Sequence, residues 1–208
     1  MKAQVENWSL VLVGAWNTAI LTPDWLTKQL GASGPVQIEF PIGNPNMPLR
    51  YTLNGVHLVV TREHLVLAPS ADDAEILGRM ESYCKSILTV LTHTPVSAIG
   101  INFAFLEEAP SDDLKSLFKA SDLAKINDAD LVVEGTEIKR RLRLPQNGVL
   151  NLSLQQTNGS QVVLNLNFHR DVESAAAAAT YLDSRVTKYR ALATKFLRDA
   201  YELDLGEG

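Results

Sequence analysis

Cysteine is almost absent from the sequence, since Cys84 is the only one among 208 residues. A lone cysteine excludes a disulfide within the chain and any all-cysteine metal site. Cys84 lies in a helical pattern with no cationic cluster beside it, so we expect a buried and unreactive thiol.

Long apolar runs are missing as well. No stretch approaches the ~20 apolar residues that cross a bilayer, and residues 1–21 lack a secretory pattern because Glu6 and Trp8 interrupt them. We therefore expect a cytoplasmic protein with no membrane partner. The net charge of −5 argues against wholesale phosphate binding but leaves a local basic patch possible.

Residues that could bind a metal or take part in catalysis do not cluster in the sequence. The histidines are scattered, and no His, Cys, Asp or Glu spacing is typical of a metal site, so we expect neither a metal nor a cofactor. The acid pairs at 72–73 and 112–113 each open a predicted helix, where carboxylates satisfy free N–H groups. No nucleophile has an evident base. We expect a protein that is not an enzyme.

Hydrophobic periodicity divides the first half into strands and helices. Thr22 and Pro23 open a short helix that Gly31 ends, and Asn54-Gly55 is a strong hairpin turn signal. The predicted order is strand, helix, strand, hairpin, strand, long helix, over residues 7–17, 22–31, 36–42, 49–60, 62–68 and 70–93.

The second half repeats this order. A strand over 96–108 and a helix from Ser111 to residue 126 precede 130–144, which gives two short strands or one bent at Gly135. A hairpin over 149–168 and a terminal helix follow. The sequence thus predicts an α+β fold of two pseudo-repeats, each a strand, a helix, about four antiparallel strands and a long helix. We assign the repeats to residues 1–94 and 95–208 of one compact domain, with the helices on one side of an antiparallel sheet.

This element order, stated twice, resembles the duplicated fold of TATA-binding proteins over most of the chain. In that family two halves form one curved sheet with helices on its convex side, and the resemblance implies the same arrangement here. The intercalating phenylalanines of that family have no match in this sequence, so DNA bending is not implied.

One strand carries a second resemblance. The stretch "SAIGINFAF", Ser97 to Phe105, is similar to the "RIGLRYIN"-type strand of a sporadically distributed bacterial family of unknown function. That family also closes on a long helix. The resemblance implies no activity.

The terminal segment predicts one uninterrupted helix, because apolar residues follow 3,4 spacing from Val172 to Leu203. Such spacing favours a neighbouring helix at a shallow angle, and the alanines of 175–179 allow close approach. The partner is either the helix over 70–93 or a second copy of the chain. The residues expected to form a dimer interface are Ala175, Ala179, Leu182, Val186, Tyr189 and Phe196.

The second hairpin predicts a polar sheet face. Pairing Leu154 with Val162 places the turn at residues 157–159 and puts Asn151 opposite Asn165. Arg140 then falls on the apolar side. The resulting basic, amide-rich face consists of Lys139, Arg141, Arg143, Asn151, Gln155, Asn165 and Asn167. It is either an ordinary wet face of a sheet or a surface for phosphates and base edges.

The sequence is therefore consistent with two main functional hypotheses. The first is a non-catalytic interaction or assembly protein that forms a dimer through its apolar strands and its terminal helix. The alternative is a nucleic-acid-binding module that uses the basic, amide-rich face. A small-ligand binder with a cavity between sheet and helix is a third possibility.

Overall fold

The computed structural model describes residues 1–31, 34–40, 48–122, 125–126, 129, 131–157 and 161–206. Its strands are β1 (Lys2–Ala3), β2 (Ser9–Gly14), β3 (Gln37–Glu39), β4 (Arg50–Leu53), β5 (Val56–Val60), β6 (His64–Pro69), β7 (Val96–Glu107), β8 (Gly135–Arg143), β9 (Val149–Thr157) and β10 (Val162–Asp171). Its helices are α1 (Pro23–Leu30), α2 (Ala74–Val90), α3 (Asp112–Ser116), α4 (Ala175–Tyr181) and α5 (Arg185–Tyr201).

All ten strands belong to one antiparallel sheet. The order across the sheet is β3-β4-β5-β6-β2-β7-β10-β9-β8, and β1 pairs with the end of β7. The first strands of the two predicted halves, β2 and β7, therefore pair at the middle. On either side the remaining strands follow outward in reverse chain order, from β6 to β3 and from β10 to β8. This order confirms the α+β fold with an antiparallel sheet, whereas the duplication itself stays a prediction.

Local sequence signals in the first half act as expected. The Thr22 side chain accepts a hydrogen bond from the Trp25 N–H at 3.3 Å, and Gly31 ends α1 in the left-handed region with φ of 60°. Asn54 and Gly55 both have positive φ, 46° and 79°, as a two-residue hairpin turn requires.

The core lies between one face of the sheet and helices α2, α4 and α5. Alternate residues of the central strands point into it, among them Leu10, Ile101 and Phe103. The Phe168 ring of β10 stacks on Tyr189 of α5 with 4.4 Å between ring centroids. The opposite face carries no described helix, and we call it the open face.

The terminal segment differs from the single helix that the spacing predicts. It forms two helices, α4 and α5, because the chain turns between Leu182 and Ser184, where Ser184 has a positive φ of 55°. Glu81 of α2 holds this turn, since its carboxylate accepts hydrogen bonds from the backbone N–H groups of Ser184 (2.5 Å) and Val186 (2.8 Å). The prediction of one uninterrupted helix was wrong. The 3,4 spacing of apolar residues gives no information about a cap that another helix supplies.

The residues expected at a dimer interface lie largely inside the chain. Ala175, Leu182, Val186 and Tyr189 are buried, and the half-buried Ala179 and Phe196 pack against the same core. The partner of this helical segment is α2, which contacts both α4 and α5. The buried four are therefore unavailable to a second copy of the chain, which corrects their assignment as interface residues.

Two further expectations need correction in the second half. Of the described residues 131–144, those from Gly135 to Arg143 form a single strand, β8. Helix α3 ends at Ser116 rather than near residue 126, and part of the intervening stretch lies outside the described residues. Within the described ranges, no helix is both long and apolar enough to span a membrane.

Candidate polar binding surface

The polar face predicted from the second hairpin lies on the open face of β7, β10, β9 and β8. Strand pairing fixes its register: Leu164 lies opposite Leu154, so Asn151 lies opposite Asn167 and Ser153 opposite Asn165. The predicted pairing was therefore wrong by two residues. The face of each side chain was nevertheless right, because the side-chain period of a strand is two. The predicted turn residues 158 and 159 lie outside the described residues.

The central feature is a row of hydrogen-bonded side chains that crosses four strands. Asn151 Nδ2 donates to Asn167 Oδ1 (2.9 Å), and Asn167 Nδ2 donates to Asn102 Oδ1 (2.6 Å). Asn102 Nδ2 then donates to Ser9 Oγ (3.0 Å). We call these four residues the amide row. Each asparagine amide has two N–H groups and donates one of them within the row. The second N–H of each amide is therefore left as a donor.

A cavity of about 510 Å³ lies over the amide row. Asn7, from the 3-10 turn Val5–Asn7, stands at its margin on the open face. Five of the seven residues predicted for this face line the cavity, namely Lys139, Arg141, Asn151, Asn165 and Asn167. The other two, Arg143 and Gln155, are exposed outside it on the same face.

The cations of β8 differ in their partners. Lys139 forms an ion pair with Glu137 (2.9 Å), whose carboxylate also accepts a hydrogen bond from Ser153 Oγ (2.7 Å). Bonds from Lys139 and then Ser153 hold the pKa of Glu137 below its usual range. Arg141 and Arg143 are exposed, and neither is in an ion pair with any described acid. The surface thus offers two guanidinium groups to a ligand.

Arg140 lies on the helix side of β8, as the alternation predicts. Its Nη1 donates to the Tyr201 hydroxyl at 3.2 Å, and the residue is half-buried. The charged end is thereby satisfied at the edge of the core.

The absence of a side chain at Gly100 leaves space for the Asn167 amide of the amide row. A Cβ at this position would lie 3.1 Å from Asn167 Nδ2. Any larger side chain would therefore press on the amide that links Asn151 to Asn102.

Among the described residues, no aromatic ring faces this cavity. Phe103 is the one aromatic residue among those lining it, and its ring points to the helix side, where it packs edge-on against Trp8 at 5.0 Å between centroids. Bases would have no stacking platform over these strands. Recognition here has to rely on hydrogen bonds and charge.

In the part of the chain that the structure describes, titratable groups elsewhere on the open face do not converge on a site. His57 Nδ1 lies 2.9 Å from Thr52 Oγ1, and burial together with the nearby Arg50 lowers the pKa of that histidine. The described residues contain no group of three potential metal ligands. Cys84 is fully buried, and burial raises the pKa of its thiol, in agreement with the expected unreactive side chain.

Sequence reasoning missed three residues of the surface. Asn7, Ser9 and Asn102 come from segments that read as the start of the chain and as apolar central strands. Asn102 carried a signal, because an asparagine between the apolar residues of β7 needs a polar partner. The convergence of Asn7 and Ser9 on it depends on the pairing of β2 with β7.

Comparison with protein-family models and with curated proteins finds no significant match for this chain.

Proposed function

We propose that the chain is a non-catalytic interaction protein that binds a partner protein on the open face, with the amide row as the floor of the binding surface. One observation carries the proposal: the hydrogen-bonded amides lie under an open cavity of about 510 Å³ and keep spare donors. Amide, hydroxyl and guanidinium groups recognise ligands by hydrogen bonds, but they do not act as general acids or bases near neutral pH.

The organisation of the surface supports binding over mere solvation. A wet sheet face needs only scattered polar side chains, whereas here the side chains of Asn151, Asn167 and Asn102 are joined by hydrogen bonds. Side chains that are already ordered lose less conformational entropy when a ligand binds. Preorganised donors over a cavity are typical of a recognition surface.

A fluorescent reporter tests this proposal. Because Cys84 is buried, an Asn165→Cys variant can be labelled at one position with an environment-sensitive dye, and Ser82→Cys on α2 supplies the matched control. The first titrant is the unlabelled chain itself, up to roughly 200 µM, with light scattering in parallel; the second is a set of extended peptides of opposite charge. Emission should change at residue 165 and stay constant at residue 82.

Nucleic acid is the second candidate, favoured by the exposed Arg141 and Arg143. It predicts that labelled single- or double-stranded DNA or RNA binds at low salt, with affinity that falls steeply as salt rises. The variant Arg141→Glu/Arg143→Glu should abolish this binding. If the reporter at residue 165 stays silent with every titrant, including nucleic acid, the open face is not a binding surface and the proposal is wrong.

A further inference from the structure

The sheet ends in a long strand whose outer edge has no partner among the described residues. β8 is nine residues long, whereas β3 at the other end of the sheet has three. On an edge strand, alternate residues direct their backbone N–H and C=O groups outward. β8 therefore presents a row of unpaired backbone donors and acceptors next to the cavity.

The side chains of β8 alternate in chemistry. On the open face Lys139, Arg141 and Arg143 are exposed, and Lys139 is paired with Glu137 of the same strand. On the helix side Ile138 and Leu142 are half-buried at the margin of the core, with the half-buried Arg140 between them. A strand added to this edge would place its own alternate residues beside these two sets. Acidic side chains would meet Arg141 and Arg143, and apolar side chains would extend the core past the two aliphatic residues.

We propose that β8 is a docking edge for an extended segment of a partner protein in which acidic and apolar residues alternate. This inference rests on the proposed function and specifies the chemistry of the partner. Charge complementarity selects the acids, and the half-exposed Ile138 and Leu142 select the apolar positions between them. Backbone hydrogen bonds contribute affinity, and the side-chain alternation contributes specificity.

A second copy of the chain fits this edge poorly. If two β8 strands paired antiparallel about Arg140, the two Arg140 residues would lie opposite each other. Lys139 of each copy would lie opposite Arg141 of the other. In the same register Glu137 of each copy would lie opposite Arg143 of the other, which offsets part of this repulsion. Like charges directly opposite one another destabilise a strand pair, so an acidic partner strand complements residues 139–141 better than a second copy does in this register.

Peptide binding to the full chain tests the edge directly. The probe is a fluorescein-labelled synthetic peptide of nine residues that alternates Asp or Glu with Val or Ile, and binding is followed by anisotropy. The control peptide has the same composition with its acids and its apolar residues in separate blocks. We expect the alternating peptide to bind at least about tenfold more tightly, because both peptides carry the same charge but only one matches the strand period.

Methylation of peptide nitrogens identifies strand addition without altering the protein. Two peptides carry N-methyl groups at every second residue. In the first, the methyl groups replace the amide protons that would bond to β8; in the second, they replace the amide protons that point away from it. The first peptide should lose binding and the second should retain it. Equal loss in both methylated peptides, or equal binding of the alternating and block peptides, would overturn the edge pairing.

Charge exchange in the protein provides the second arm. Arg141→Glu/Arg143→Glu should weaken the acidic peptide about tenfold, since two favourable rim contacts become repulsive, and a peptide with Lys in place of its acids should then bind. The matched control, Lys28→Glu/Lys188→Glu, reverses two charges on helices α1 and α5 and should change neither affinity. Failure of the exchange in a variant with a native circular dichroism spectrum would also overturn the proposal.

The two proposals fail in distinguishable ways. Asn151→Ala/Asn167→Ala removes the floor of the cavity but leaves the β8 edge intact, so peptide binding at the edge should survive it. If the alternating and block peptides bind equally while the residue-165 reporter responds to a partner, the open face is a binding surface and the β8 edge is not.

Discussion

Glu81 and Val186, on two different helices, are joined by a hydrogen bond from the backbone N–H of Val186 to the Glu81 carboxylate at 2.8 Å. The same carboxylate accepts the Ser184 N–H, so a side chain of α2 caps the N-terminus of α5. A buried carboxylate at this position satisfies free N–H groups and interacts favourably with the helix dipole.

We expect Glu81→Ala to lower the free energy of unfolding by about 2–4 kcal/mol, because the buried N–H of Val186 and the partly buried N–H of Ser184 lose their acceptor and a cavity is left. Glu81→Gln keeps one oxygen and should cost less. The measurement is urea denaturation followed by circular dichroism. Glu75→Gln on the same helix serves as control: it removes only an exposed ion pair with Arg79 and should change stability by less than about 0.5 kcal/mol. Equal effects at residues 75 and 81 would show that the cap contributes nothing.

Gly14 and Gly78 form a matched pair for glycine replacement. A Cβ on Gly14 would lie 2.4 Å from the Pro95 carbonyl oxygen, whereas a Cβ on Gly78 has no atom within 4 Å. Gly14→Ala should destabilise the protein by about 2–4 kcal/mol, because backbone has to move. Gly78→Ala, within helix α2, should stabilise it by about 0.5–1 kcal/mol. Thermal and urea unfolding of both variants check the signs, and a stable Gly14→Ala protein would contradict the tight contact.

The amide row should be measurable as an energetic coupling between Asn102 and Asn167. Their side chains share a 2.6 Å hydrogen bond, so a double-mutant cycle with alanine should give about 0.5–1.5 kcal/mol of interaction energy. Asn165 lies on the same strand, and no hydrogen bond joins its side chain to Asn102 in the described part of the chain. A cycle between Asn102 and Asn165 should therefore give a value near zero. Identical coupling in both cycles would mean that the row is not a connected network.

The raised pKa of Tyr181 predicts a loss of stability at alkaline pH. Burial raises the pKa of its hydroxyl, and the hydrogen bond with Tyr189 raises it further, against smaller opposing effects of Arg185 and Arg170. The folded state thus favours the neutral phenol. Stability from this group is fully present below the unfolded pKa of about 10 and falls as pH rises above that value.

The check is the free energy of unfolding between pH 8 and about 11 for the wild type and for Tyr181→Phe. The difference between the two proteins should stay constant up to about pH 10 and then change in favour of the phenylalanine variant. Tyr51→Phe, at a position where the structure indicates no such phenol pair, is the control. Parallel curves for wild type and Tyr181→Phe would contradict the shift.

The alternation of polar and apolar residues was enough to assign Lys139, Asn151 and Asn167 to one face, because every register of even offset keeps the same faces together. It was not enough to choose among those registers. Leu154 can face Val162 or Leu164 with equal apolar match, and only the connecting residues and the neighbouring strand β7 decide between them.

The break before Ser184 could not be predicted for a different reason. Helix signals are local, whereas the acceptor that ends the turn is Glu81, more than a hundred residues earlier. In the same way, Asn7 lies at the cavity because the strands on either side of it, β1 and β2, both pair with β7. Tertiary partners of this kind leave no mark on the periodicity around the residue itself.

The pairing of β2 with β7 also has a consequence for biosynthesis. Leu10 lies beside Ile101 in the finished sheet, so a ribosome has to make about half of the chain before the seam can close. Until then β2 has neighbours on one side alone, and its open edge is exposed to other nascent chains. Because pairings between distant segments form slowly, we expect the sheet to close late, after synthesis of β7, and to depend on chaperones more than its helices do.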